Sequence, residues 1–264
     1  MKKFSLKGLF EEITLLLRSI PSPVVASYIV AIITMNLLAN KAVPLPFDYI
    51  VLDCGFFLSW MVFMTMDMVT RHFGPRAANL LSVVALLANL FMCGIFFGIS
   101  KLPGEWSTSY VEGSEGVINT ALDETFGGTW YVLLGSSVAF LVSALVNNFM
   151  NYMIGRKAES KKKNFATFAF RSYVSTFIGQ FVDNLVFALI VSHTFFGLTL
   201  FQCVLCAFTG AIMELLCEVI FSPFGYRVSQ NWERDKVGAA YIEKYGVDIR
   251  VKDVTVNGNA QTSH

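Results

Sequence analysis

Long apolar runs separated by short polar connections dominate the chain, and the polar residues inside those runs fall at helical spacing. The runs cover residues 23–38 (extending to 42), 49–70, 77–100, 129–154, 171–193 and 198–221. Each comes to about the 17–25 residues that a helix needs to cross a hydrocarbon layer, so the pattern predicts six spanning helices and an all-α fold. Residues 1–20 read differently. Phe4, Leu6, Phe10, Ile13, Leu17 and Ile20 gather near one side, with Lys2, Lys3, Lys7, Glu11, Glu12 and Arg18 mostly on the other. That stretch predicts an interfacial amphipathic helix ended by Pro21 and Pro23. Residues 101–128, with Pro103, several glycines and the acids Glu105, Glu112, Glu115, Asp123 and Glu124, predict a hydrated loop. Ser222-Pro-Phe-Gly225 is expected to stop the last helix. The organisation expected is thus an interfacial helix over 1–20, a six-helix transmembrane domain over 21–225 and a polar cytoplasmic tail over 226–264.

Composition agrees with a membrane protein. The 264 residues are 55% hydrophobic and 15% charged, with 25 Phe and a mean hydropathy of +0.57, far from a soluble domain. The net charge of +1 supports no nucleic-acid partner, but the placement of charge is informative. Of the 20 Lys and Arg, all but Lys41 and Lys101 fall in the N-terminal segment, the second and fourth connections and the tail. By the positive-inside rule both termini are cytoplasmic. No cleavable signal peptide is expected, because the first apolar run is too long and lacks a small-residue cleavage pattern. Cys54, Cys93, Cys203, Cys206 and Cys217 all lie in apolar runs, and Cys203-x-x-Cys206 reads as membrane packing. His72, His193 and His264 form no ligand spacing.

The candidate chemistry concentrates on the fifth helix. Ser172, Ser175, Thr176, Gly179, Gln180, Asp183 and Asn184 recur at three- and four-residue steps and share one face. A carboxylate at that depth costs about 2.5–3.5 kcal/mol even on lenient insertion scales, which makes it a functional-site hypothesis. The competing reading is interhelical glue at about 0.6–2 kcal/mol per contact. Glue normally uses hydroxyls and amides, whereas this stripe contains an acid. Other helices add Asn36 and Asn40, Asp67, the series Ser143, Asn147, Asn151, and the pair Glu214 and Glu218. Glu214 and Glu218 on one face repel unless protonated, paired or bound to a ligand. Asp67 has an ordinary partner four residues on, Arg71. Asp67 before Gly74 and Glu218 before Gly225 form a weak internal echo of the kind repeat-built transporters carry. Leu134-Gly-Ser-Ser-Val138 is not a nucleophile elbow, and no Gly-rich phosphate loop is present. A binding cavity walled by the fifth helix is therefore expected, with no catalytic residue, metal or cofactor.

Several segments carry a resemblance. Asn36-Leu-Leu-Ala-Asn-Lys41, Asp67-Met-Val-Thr70 before Phe73-Gly74, Ser175-Thr-Phe-Ile-Gly-Gln-Phe-Val-Asp183 with Phe187, and Glu218-Val-Ile-Phe-Ser-Pro223 with Tyr226 resemble the queuosine precursor transporter family, also called the vitamin uptake transporter family. The resemblance covers residues 20–230 and implies a multi-pass bacterial inner-membrane importer of 7-deazaguanine bases. Asp183, Gln180, Asn36, Asp67 and Glu218 map onto its motifs directly. A guanine-like edge offers two parallel N–H donors that a carboxylate accepts as a pair, while amides read the remaining acceptor and Phe or Tyr rings stack on the base. Two departures are Arg71 and His72, where many members carry an acid and a tyrosine, and Asn147 and Asn148, where Gln and Asp are frequent. The expected site binds a neutral or cationic purine-like base through Asp183, Gln180, Asn184, Glu218, Asn36, Asn147 and Phe187. Asp67, Glu214 and Arg171 are the coupling or gate candidates. The alternative is a transporter or substrate-binding subunit for another vitamin-like heterocycle, powered by a partner complex. The partners expected are the base and the lipid bilayer, and a homodimer is compatible with the chain.

Overall fold

The computed structural model describes residues 5–44, 51–106, 115–158 and 165–245. It is a helical bundle with one small hairpin. Ser5 caps α1 (Leu6–Ser19) by accepting from the Gly8 amide at 3.5 Å, and Pro21 separates it from α2 (Ser22–Leu38). The fixed φ of proline and its missing N–H make a break here, and the two helices meet at 108°. Leu6 and Phe10 on α1 are exposed, as the amphipathic pattern predicts, but Glu12, expected on the polar face, is buried. Its carboxylate takes two charge-assisted bonds from Arg76, each 2.7 Å.

The expected second helix starts late. Residues 42–44 and 51–53 form a two-stranded antiparallel hairpin, β1 (Ala42–Pro44) and β2 (Val51–Asp53), with Ala42 opposite Asp53 and Val43 opposite Leu52. Asp53 then accepts from the Gly55 amide at 2.8 Å, and this turn sets the start of α3 (Phe56–Phe73). Gly74, at φ 92, makes the turn into α4 (Pro75–Ile99), a backbone state that a side chain would strain. Pro75 stands at the helix start, where its missing N–H is harmless.

The expected loop over 101–128 is overturned in its second half, because α5 (Glu115–Ala158) begins at Glu115. Gly127 and Gly128, which look like breakers, sit inside this helix. A Cβ at Gly127 would collide with Ser100 Oγ, so the glycine serves close approach to the end of α4. The polar-striped helix is α6 (Phe165–Phe187). It continues into a π-helical turn, Ala188–Ser192, and a short α7 (His193–Phe196) ended by Gly197 in the left-handed region.

α8 (Leu200–Arg234) opens with a reciprocal cap, Thr199 N–H donating to Gln202 Oε1 at 2.9 Å and Gln202 N–H to Thr199 Oγ1 at 3.3 Å. The expected stop at Pro223 is also overturned, since α8 runs through it to Arg234. Tertiary packing outweighs the proline: Phe221 stacks on Trp60 of α3 at 4.1 Å, and Gly225 lets α8 approach Met64 and Met68. The first part of the expected tail is thus ordered, as the end of α8 and as α9 (Ala239–Tyr245), which packs on α1. Residues 246–264 lie outside the described residues.

α6 packs on α5 and α8, and α3 on α8 and α2. The main core gathers at one end, where Leu16, Tyr28, Val69, Phe73, Leu81, Trp232 and Tyr241 are buried together. Among the described residues, four helical stretches are long and apolar enough to cross a membrane: 76–99, 116–143, 177–196 and 200–221. The bent pair of α1 and α2 passes the same test as one broken span, and the apolar part of α3 is shorter. The chain is therefore a multi-pass helical membrane protein.

Candidate functional site

A cavity of about 100 Å³ lies where α2, the hairpin, α3, α5, α6 and α8 converge. On this measure one water needs about 10–15 Å³, so there is room for several waters or part of a flat ligand. Two irregular segments of backbone, the hairpin and the π-helical turn, line the cavity. Ala42, Leu52 and Asp53 come from the hairpin, and Ala188 and Ser192 from the π-helical turn.

Five of the expected residues meet in this space. Asp183, Asn184 and Phe187 of α6 line it, as do Asn36 of α2 and Glu214 of α8. The acids each have a neutral partner. Ser143 Oγ on α5 donates to Asp183 Oδ1 at 2.8 Å, and Asn184 Nδ2 donates to Glu214 Oε2 at 3.1 Å. Ser59 of α3 stands beside the same Glu214 carboxyl. Gly210, one turn before Glu214, leaves space for Asn184: a Cβ there would stand 3.0 Å from Asn184 Nδ2. Phe56, Phe63, Phe187 and Phe196 supply the aromatic part of the wall.

Gln180 stays outside the lining. It is buried, and its Oε1 has no hydrogen-bond partner among the described residues. Asn40, on the same expected face as Asn36, instead ties helix ends together: Tyr131 O–H donates to its Oδ1 at 3.2 Å, and its Nδ2 donates to Leu37 O at 3.1 Å. The side chains of Asp67, Asn147, Arg171 and Glu218 lie outside the described residues.

Sequence reasoning passed over Asp53, Ser59, Ser136 and Ser192, all of which line the cavity. Asp53 carried a signal, an acid beside an apolar run, but its expected place inside a helix hid the turn that brings it inward. Among the described residues no Lys, Arg or His lines the cavity. Nor do any three His, Cys, Asp or Glu side chains among them stand close enough to hold one metal ion. None of the five cysteines is in a disulfide among the described residues, and Cys203 Sγ packs against Ala188 O at 3.5 Å, as expected for a small membrane-helix residue.

A helical bundle that crosses the membrane several times and encloses a polar, aromatic-walled cavity has the build of a small-molecule carrier. Residues 53–228 match a family model described as "Putative vitamin uptake transporter", and the chain belongs to that family. No curated protein and no solved structure matches it.

Proposed function

We propose that this protein imports queuosine precursors, the 7-deazaguanine bases, across the bacterial inner membrane through six spans, with both termini cytoplasmic and α1 in the interface. The observation that carries the reading is the convergence of Asp183, Asn184, Glu214 and Asn36 with Phe187 on one cavity. Asp183 accepts the paired N–H donors of a guanine-like edge, the amides of Asn184 and Asn36 read its acceptor, and Phe187 stacks on the ring. Gln180, Glu218 and Asn147 are the further substrate-binding candidates. Asp67 and Arg171 gate it or couple it to protons. No catalytic role is proposed. The test is uptake of labelled 7-deazaguanine bases in cells unable to make them, comparing wild type with Asp183→Asn at matched membrane expression. Loss of uptake in the variant supports the substrate and the site, and full uptake by the variant removes the site.

The family description favours a second reading, because it speaks of a vitamin and not of a base. In that reading the cavity holds another flat heterocycle, and a partner complex supplies energy. Transport by the purified chain in liposomes without any ATPase would exclude the partner.

A further inference from the structure

Three carboxylates, Asp53, Asp183 and Glu214, line the cavity without a Lys, Arg or His beside them among the described residues. Their partners are a serine, an asparagine and a backbone amide, all uncharged. Asp183 and Asp53 line the same small cavity as Glu214, close enough to act on it electrostatically. Carboxylates brought together in a buried site need a counter-charge or protons. A metal ion does not suit the spacing, for among the described residues no three acids stand close enough to share one. Independently of the acids, Asn36 is 3% exposed, lines the same cavity and has no hydrogen bond among the described residues. A buried amide left this way points to a polar ligand that completes it.

We propose that Asp53, presented by the hairpin, acts with Glu214 as an ammonium-binding pair that makes the cavity prefer amine-bearing heterocycles over their neutral analogues. This rests on the reading of the cavity as a heterocycle site. Asp53 also holds the start of α3, since its Oδ1 accepts from Gly55 N–H. The carboxylate charge is not needed for that turn, because an asparagine oxygen accepts the same bond. A cationic group between Asp53 and Glu214 neutralises both, and the ring lies between Phe187 and the amides. The hairpin thereby determines which ligand is accepted, because it carries one half of the pair.

The test measures binding to purified protein in lipid nanodiscs for two matched pairs: a 7-deazaguanine bearing an aminomethyl or a hydroxymethyl group, and a pyrimidine with the same two substituents. Wild type is expected to prefer the amine by about tenfold or more, the scale of one charge-assisted hydrogen bond. In Asp53→Asn and Glu214→Gln the preference falls to near parity. A purely structural role for either acid would weaken all ligands alike. Amine preference in the pyrimidine pair alone would sustain the charge selectivity and overturn the 7-deazaguanine reading. Equal binding of amine and alcohol in both pairs, a preference that survives both substitutions, or no binding at all overturns the inference.

Discussion

Asn184 on α6 donates to Glu214 on α8 at 3.1 Å, and Gly210 on α8 leaves the gap that the Asn184 side chain occupies. The contact joins the two helices across the cavity wall. Gly210→Ala places a methyl 3.0 Å from the amide nitrogen, within the range where the neighbour must give. Uptake is expected to fall while thermal stability changes little, and uptake assays beside melting curves at matched expression check this. A variant that melts early but transports normally would detach Gly210 from the site.

Asn184→Leu removes the donor and leaves the Glu214 carboxyl with less satisfaction in a buried place. The loss expected is about 1–3 kcal/mol, the penalty for an unsatisfied buried polar group. Unfolding in detergent by a denaturant series reads it. Asn184→Asp should be worse than Asn184→Leu, because it sets a second acid against Glu214.

Arg76 and Glu12 tie α4 to α1. The arginine side chain is 63% exposed and the glutamate side chain 3% exposed, so removing Arg76 strands a buried carboxylate. Arg76→Met is expected to destabilise by about 1–3 kcal/mol, with solvent at the arginine keeping the loss below that of a fully buried pair. Glu12→Gln should cost less, since it removes the charge together with its partner's role. A larger loss for Glu12→Gln than for Arg76→Met would contradict this account.

Tyr241 on α9 donates to Glu12 Oε1 at 3.3 Å. Burial first, and the Glu12 charge second, push its phenol up to about 12 from 10. The folded state therefore holds the proton more tightly than the unfolded chain. The stability this group contributes is complete below pH 10 and is lost as pH rises towards 12. Melting temperature should drop in that window for wild type and drop less for Tyr241→Phe, as thermal unfolding at stepped pH would record.

Gly135 on α5 faces Val191 of the π-helical turn, and a Cβ at Gly135 would collide with Val191 Cγ2. Gly135→Ala is expected to cost about 1–3 kcal/mol by overpacking. Val191→Ala in the same chain should restore much of it, and a double-mutant cycle measures the coupling.

Of the six expected spans, four are helices long and apolar enough to cross a membrane, and those were legible because hydropathy sets them. Asp183, Asn184, Asn36 and Glu214 were legible because a polar group in an apolar helix has few places to go. Asp53 was not, because whether it sits in a helix or a turn depends on the pairing of Ala42 with Asp53, a contact between separated residues that local pattern does not report. Pro223 and Gly127 misled for the opposite reason. Each is a breaker by local propensity, and each is held inside a helix by neighbours from another part of the chain. The ion pair of Glu12 with Arg76 was hidden likewise, since charge on an amphipathic helix ordinarily points to water.

The π-helical turn at Ala188–Ser192 acts as a phase shifter in the helix that carries Asp183. A π-helical turn holds an extra residue relative to an α-helical one. Everything after it is rotated by about 100°, the angle of one residue in an α-helix. With that rotation Asp183 and Phe187 before the turn, Ser192 at its end and Phe196 beyond it all border one cavity. Deleting a single residue from the turn would leave the length of the span almost unchanged and swing its far half away, so the wall would open without any side chain of the acidic group being altered.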